Sequence, residues 1–573
     1  MACFREALNK LLRERIATFR GARNLAYLND MSWLLSALGL ALRLAPSFIQ
    51  HLLRVLAQFV LQSLIKYSKD YGGVMKTWVI ILSLVLVALF IGSADRAIDN
   101  IRESRIAETS REMMVTGDWL MPHFNGDLRL QKPPLTYWTT AISYKLFGVS
   151  ELSTRFPSML FGLMLLALVF VWVKQEIDFK TAVHVALVLG TSVIAMRHFR
   201  SGEADTVLIF FISAACYAGF NLLHRTVSER DKWAVWCMLA MGLGFLAKGP
   251  AGIAIPLFTL LVYAYLSKQL PALKKLLSPL GLGLFVLTAA GWYIWIFLTM
   301  PDAANYFFGK QIDETFVSGT HPQPIYWYLL HITEFFLPWG LLLVPMAIWY
   351  YRRQPTFSMI SFALVWLAVV FVLLTATVNK QMQYALLFAP PVAILLGHYM
   401  QTATGRFYQF NKVVFWLLCF AAMAIVIYAA KKHGMHALAD ALWAPVLLLP
   451  IILKRVLDVE YPATPVLVAA ILAVFAYLFS EQYLTKSVEK NDIQQLTLQS
   501  LSYEPIFQSR PGNGAFSFYA KKPIRTMKLQ DISHFMQMHD VVWYLSEEKP
   551  ELKQYSVQEE KTVGKWTLWK ISK

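Results

Sequence analysis

The chain has 573 residues, 57% of them hydrophobic and 14% aromatic, with a mean hydropathy of +0.47. That balance is far from that of an ordinary soluble enzyme, which carries fewer apolar residues. The formal charge of +17 is spread between apolar runs rather than gathered on one soluble face, which argues against a nucleic-acid partner and for the positive-inside bias of a polytopic membrane protein.

Residues 1–74 mix basic residues (Lys10, Arg13, Arg15, Arg20, Arg23) with apolar stretches broken by Arg43, Pro46 and Arg54. They read either as a cytoplasmic amphipathic extension or as lying outside the native product, since Met75-Lys76-Thr77 is itself a good start for a polytopic chain. No cleavable signal peptide is evident in them. From there apolar runs of about 18–20 residues recur, long enough to cross a hydrocarbon core of roughly 30 Å.

The runs predict spans near 76–93, 156–173, 181–198, 205–224, 233–247, 250–266, 277–299, 333–350, 357–377, 384–400, 412–429, 437–453 and 463–480, about thirteen in all. With the segment before Met75 in the cytoplasm, the basic loops at Arg225 to Lys232, Lys274-Lys275, Arg352-Arg353, Arg406 to Lys412 and Lys454-Arg455 all fall inside, and Lys431-Lys432 is the exception. The short apolar segment 134–148 follows Lys132-Pro133-Pro134 and reads as interfacial or re-entrant. An odd number of spans sends the tail, 481–573, to the outer side. Its turn signal Arg510-Pro511-Gly512-Asn513-Gly514 and short alternating runs such as Ala515 to Tyr519 and Val541 to Leu545 predict a small α/β domain with no catalytic signature. The four cysteines, three of them in or beside apolar runs, imply no disulfide framework.

Four polar clusters reach that outer face in this topology: the 94–133 loop, His198 to Asp205, Pro301 to Tyr328, and Asn379 to Tyr384. A charged membrane-side loop is ordinary, so the case rests on their convergence. Acidic residues at the mouth of a span, here Glu203 and Asp205, are costly and mark function. Arg105, Arg111, Lys132, Arg200 and Lys380 put positive charge where outer loops usually have little, which suits an anionic ligand such as phosphate. Arg155 and Arg200 suit either a headgroup or a substrate. Tyr137, Trp138, Tyr326, Trp327 and Tyr384 read singly as an interfacial belt and collectively as a sugar- or lipid-lining surface.

The series Arg105-Ile106-Ala107-Glu108-Thr109-Ser110-Arg111-Glu112-Met113, Gly117-Asp118-Trp119-Leu120-Met121-Pro122-His123-Phe124-Asn125-Gly126 and Lys132-Pro133-Pro134-Leu135-Thr136-Tyr137-Trp138 resembles the first outer loop of polyprenyl-phosphate-dependent glycosyltransferases. The nearest branch is that of the lipid A aminoarabinose transferases, related to protein O-mannosyltransferases. Phe245 to Pro250, Trp327-Tyr328 with Pro338-Trp339, and Asn379 to Tyr384 recur in the family's order, so the resemblance covers roughly 75–480.

The resemblance implies a GT-C fold, a polytopic α-helical membrane protein of about thirteen helices with a small C-terminal periplasmic α/β domain. It also implies a bacterial inner-membrane protein whose active site is periplasmic. The implied partners are an undecaprenyl-phosphate-linked sugar donor, lipid A or another envelope glycan as acceptor, and the membrane lipids. This chain departs from the pattern twice. Arg102 stands where such transferases carry Asp before Glu103, and Gln131 stands where relatives offer a metal-ligating Glu before Lys132. A divalent metal ion is therefore only a candidate cofactor, with the family-like loop His, His321, as its candidate ligand.

Displacement at an anomeric carbon releases a lipid phosphate, so developing negative charge needs cations. Arg105, Lys132 and Lys380 are the candidates, with Lys248 beside them and Tyr137 and Tyr384 as further substrate contacts. Glu103 and Asp205 are the catalytic candidates, taking a proton from a hydroxyl acceptor or orienting the sugar when the acceptor is a phosphate. A protein hydroxyl acceptor is the alternative within this fold, mildly disfavoured by the missing Asp. A transporter of lipid-linked glycan is disfavoured because the charges gather in loops on one face and no internal repeat is visible.

Overall fold

The computed structural model describes residues 89, 93–94, 96–98, 100–300, 303, 322–353, 358–432, 494, 496–497, 505–509, 514–552, 555–563 and 566–573. The expected spans 76–93, 437–453 and 463–480, and the 1–74 extension, lie almost wholly outside them.

The first described helix is polar. α1 (Ile101–Thr116) starts on Asn100, whose side chain accepts from the Arg102 N–H, and stops at Gly117, where a left-handed φ of 75° lets the glycine N–H reach the Met113 carbonyl. Its mean composition is hydrophilic, yet Glu103, Ser104, Glu108, Thr109, Arg111 and Glu112 are all buried, because other elements cover it on several sides. A two-residue hairpin follows, β1 (His123–Phe124) and β2 (Asp127–Leu128). Asn125-Gly126 turns it with positive φ at both positions, as a tight hairpin turn requires. The Glu112 carboxylate accepts the Gly126 N–H at 3.2 Å, which fastens the hairpin to α1.

α2 (Leu135–Phe147) is the short segment expected to be interfacial, and it lies against α1. α3 (Glu151–Glu176) then opens on a Ser150/Ser153 capping box. Its 26 residues at about 1.5 Å each outlast a bilayer core. The run 181–198 does not form one straight span. α4 (Phe179–Thr191) and α5 (Val193–Phe199) meet at 65°, and Ser192 interrupts the helix with extended backbone. α6 (Asp205–His224), α7 (Arg230–Lys248) and α8 (Ala251–Leu266) follow. α7 and α8 touch backbone to backbone at Gly244 and Gly252, where a Cβ on Gly252 would fall 2.2 Å from the Gly244 carbonyl carbon.

α9 (Pro279–Thr299) crosses with one π turn at Val286–Ala290. The run 333–350 is also broken, into α10 (Trp327–Phe335) and α11 (Trp339–Arg353) at 118°. α12 (Met359–Ala376), α13 (Ala389–Thr402, entered through a 3-10 turn at Met382–Phe388) and α14 (Gly405–Lys432) complete the described bundle. Among the described residues five helices are long and apolar enough to cross a membrane, seven if each bent pair counts once. The chain is a polytopic helical membrane protein. Its main core interleaves α3, α4, α6, α12 and α13 around buried Trp172, Phe220, Phe362 and Trp366.

The tail is an α/β unit. β3 (Ile506–Gln508), β4 (Val541–Ser546), β5 (Ser556–Val563) and β6 (Trp566–Ser572) form a sheet of order β3-β4-β6-β5, parallel only between β3 and β4. The alternating run at 515–519 forms not a strand but the helix α15 (Ala515–Ala520), with α16 (Leu529–Phe535) after it. Both faces of α15 are covered, so burial overrides the alternation. This unit clamps α1. Gly514 N donates to Ser104 Oγ at 3.1 Å, Ile98 N to Tyr519 Oη at 3.0 Å, and Arg111 Nη1 to the Lys521 carbonyl at 3.0 Å. Ala97, Ile98 and Ala107 share one apolar cluster with Phe516, Trp543 and Trp566.

Candidate functional site

The site is held by a buried ion pair. Arg155, on the first turns of α3, is fully buried and donates from Nε and Nη2 to both Glu103 carboxylate oxygens at 2.7 and 2.9 Å. Its remaining hydrogen bonds go to the carbonyls of Ser93, Arg96 and Ala97. Glu103 Oε1 also accepts the Gly202 N–H at 2.8 Å. Burial alone would push the Glu103 carboxyl up, but Arg155 beside it, with Arg96 and the Gly202 amide, holds it down at about 2. Arg155 thus anchors neither headgroup nor substrate; it ties α1, the chain before it and the loop before α6 into one unit. Arg200 is buried as well and bonds to Ser93 Oγ at 3.3 Å.

The loop after α5 brings the acids together. Thr206 Oγ1 donates back to the His198 carbonyl at 2.9 Å, folding the loop on itself, and Ser158 Oγ donates to the Glu203 carbonyl at 3.1 Å. Gly202 is needed here, since a Cβ would sit 2.8 Å from Thr154 Cγ2 and 3.2 Å from the Thr154 carbonyl oxygen. The ligating atoms of His198, Glu203 and Asp205 all lie within 4.8 Å of one another, and all three side chains are buried. His198 Nδ1 stands 3.5 Å from a Glu203 carboxylate oxygen without hydrogen-bond geometry. The other Glu203 carboxylate oxygen accepts from Asn100 Nδ2 at 3.4 Å.

Asp205 opens α6, and its Oδ1 accepts from Lys248 Nζ at 2.5 Å, from the last residue of α7. Lys248 also lies 5.2 Å from the Tyr384 ring centroid. Exposed Arg102 reaches across from α1 to Gln381 at 3.3 Å. Four segments distant in sequence, 100–103, 198–205, 245–248 and 381–384, therefore meet at one end of the bundle. Sequence reasoning named Asp205, Glu203 and Tyr384 there and ranked Lys248 behind other cations. It treated Arg102 only as a departure and assigned no role to His198. The available signal was the spacing of His198 five and seven residues before Glu203 and Asp205, across a helix-to-helix turn.

The other expected residues lie elsewhere. Lys380 is buried and donates to the carbonyls of Thr377 and Gln323 at 2.5 and 3.4 Å; burial draws its ammonium below the ordinary lysine range. Tyr137 is buried in the α1–α2 packing, and its hydroxyl accepts from Arg129 Nε at 3.3 Å. Arg105 lines a separate cavity of about 310 Å³ with Asn125, Asp127, Arg129, Gln131 and Thr526. Lys132 is exposed just before α2. His321 lies outside the described residues, and Gln131 offers an amide rather than a carboxylate beside Lys132.

Residues 131–295 match the family described as dolichyl-phosphate-mannose-protein mannosyltransferase. An uncharacterized protein of Aquifex aeolicus is 28% identical over 66% of this chain and 74% of its own length. The undecaprenyl phosphate-alpha-4-amino-4-deoxy-L-arabinose arabinosyl transferase of Aeromonas salmonicida is 29% identical over 60% of this chain, and the match spans 66% of that relative's length. The fold is that of the crystal structure of ArnT from Cupriavidus metallidurans bound to undecaprenyl phosphate, with a TM-score of 0.72 at 20% identity over 86% of this chain and 97% of that one. The chain is thus similar in sequence to arabinosyl transferases of this kind and shares the fold of the ArnT structure, which supports a glycosyltransferase.

Proposed function

We propose that the chain transfers 4-amino-4-deoxy-L-arabinose from an undecaprenyl-phosphate-linked donor to a phosphate of lipid A or a related envelope acceptor, on the periplasmic face of the inner membrane. The observation that carries this reading is the convergence of Arg102, Asp205, Lys248 and Tyr384 at one end of the bundle, beneath the polar helix α1. The relative's name supports the donor.

In this reaction the bond between the sugar's anomeric carbon and the donor phosphate oxygen breaks as an acceptor oxygen bonds to that carbon. The lipid phosphate leaves with the electron pair. Lys248 and Arg102 are the cations at the cleft that offset this charge, acting where water is partly excluded and electrostatics are strong. An acceptor phosphate is already anionic and needs no base, so Asp205 serves to hold Lys248 and to attract the donor's ammonium. With a hydroxyl acceptor, Asp205 would take the proton instead. Glu103 is spent on Arg155 and Gly202, and its role in this reading is to position the cleft.

The test uses the purified chain in detergent with the lipid-linked aminosugar donor and lipid A. The expected result is undecaprenyl phosphate released in step with glycosylated lipid A, and Asp205→Asn inactive. Donor consumption only with a Ser/Thr peptide present would shift the acceptor to protein, the alternative suggested by the matched family's description.

A further inference from the structure

We propose that the end of the bundle opposite the transfer cleft carries a binding site for an anionic phospholipid, formed by the start of α7 and the 3-10 segment Leu270–Leu277. α6 begins at Asp205 in the cleft and runs 20 residues, about 30 Å, before Arg225 leads the chain toward α7. The site therefore lies far from the reacting groups and does not rest on the transferase reading.

Two basic segments are joined at this end. Lys275 Nζ stands 2.9 Å from Asp231 Oδ1, while Ala272, Leu273 and Leu276 turn inward to the main core. Lys274 is left outside. Residues 225–232 and 268–275 hold six cations and two acids. Arg225 is paired with Glu176 at 2.5 Å and Lys275 with Asp231. Arg230, Lys232, Lys268 and Lys274 have no carboxylate partner among the described residues. The second acid, Glu229, accepts from Thr226 Oγ1 at 3.0 Å and offsets only one of these four charges.

Basic loops are ordinary at the inner face of a membrane protein. What marks this one is the apolar surface beside the charge. With three residues per turn, Lys274 and Leu277 share one face of the 3-10 segment, and Leu277 is 67% exposed. Ser278 then caps α9 by accepting the Gly281 N–H at 3.3 Å, so the charged segment runs directly into that helix. Only 22% of the α9 span is buried in the protein, and Leu280, Val286 and Leu287 are exposed along it. A headgroup phosphate held by Lys274 and Arg230, which flank the Lys275–Asp231 bridge, leaves its acyl chains against α9. Guanidinium and ammonium groups suit phosphodiester oxygens. A headgroup carrying its own ammonium would offset that attraction, so the site selects lipids of net negative charge.

The experiment takes the full chain, purified and delipidated in detergent, and titrates it with phosphatidylglycerol or with phosphatidylcholine of identical acyl chains. Native mass spectrometry counts the bound lipid. Wild type should hold phosphatidylglycerol at least fivefold more tightly than phosphatidylcholine. Arg230→Gln/Lys274→Gln should lose that preference, whereas Arg525→Gln/Lys528→Gln, which removes the same charge from exposed positions of the tail, should keep it. Phosphatidylglycerol should raise the unfolding temperature of wild type and of the tail variant more than that of the Arg230/Lys274 variant, whose own cooperative transition establishes that it is folded. Equal affinity of wild type for the two lipids, or the same preference in both double variants, overturns the assignment.

Discussion

Replacing Arg155 with methionine should destabilise the chain by about 3 kcal/mol. The magnitude comes from Glu103, whose carboxyl is held at about 2 against an ordinary value of 4.5. At about 1.4 kcal/mol per pH unit that difference is worth about 3 kcal/mol. Removing one partner of a buried ion pair typically costs about 3–5 kcal/mol, because the other charge stays buried. Methionine fills much of the volume, so the loss reports the charge and the five hydrogen bonds rather than a cavity. For a large protein, at about 2 °C per kcal/mol, the unfolding temperature falls by roughly 5 °C or more.

Tryptophan fluorescence during heating in detergent reads this shift. Because the folded-state carboxyl titrates below the unfolded one, its stabilisation is complete above about pH 4.5 and drains away as pH falls toward 2. The gap between wild type and Arg155→Met should therefore narrow over that window. A variant as stable as wild type at pH 7, or a gap unchanged from pH 7 to pH 3, would refute the argument.

Asp205→Asn and Lys248→Met should each lower kcat by about a hundredfold or more, whereas Glu103→Gln, corrected for folded fraction, should lower it by no more than about tenfold; steady-state turnover on the lipid-linked donor decides between them. Lys380→Met should lower the unfolding temperature while leaving the donor KM within about twofold, since the wild-type ammonium is committed to the Thr377 and Gln323 carbonyls. Gly514→Val should undock the tail from α1, because a Cβ there falls 2.4 Å from the Ser104 carbonyl oxygen, and limited proteolysis should then release a fragment near residue 514 that wild type withholds.

Much of the bundle was legible in the sequence because long apolar runs have few folded alternatives. The runs at 205–224, 277–299 and 357–377 became helices within a few residues of their expected ends. The breaks at Ser192 and before Trp339 were not legible, since hydropathy averages over the two or three residues that turn the chain. The site was legible as a set of polar clusters but not as contacts. Lys380 and Lys248 look alike in sequence, yet one ends among backbone carbonyls and the other on Asp205. Glu103 carried the family's acid, and only the fold reveals that Arg155, 52 positions away, consumes it. His198 was hidden because a histidine near a helix end has many ordinary uses, and its approach to Glu203 is a property of packing.

Mass spectrometry of lipid A from otherwise identical cells with and without the gene bears most directly on the transferase reading. A gene-dependent increment matching one or two aminoarabinose residues on lipid A phosphates, abolished by Asp205→Asn at equal expression, is the expected result. An unchanged lipid A profile with the protein expressed and its donor present would contradict it.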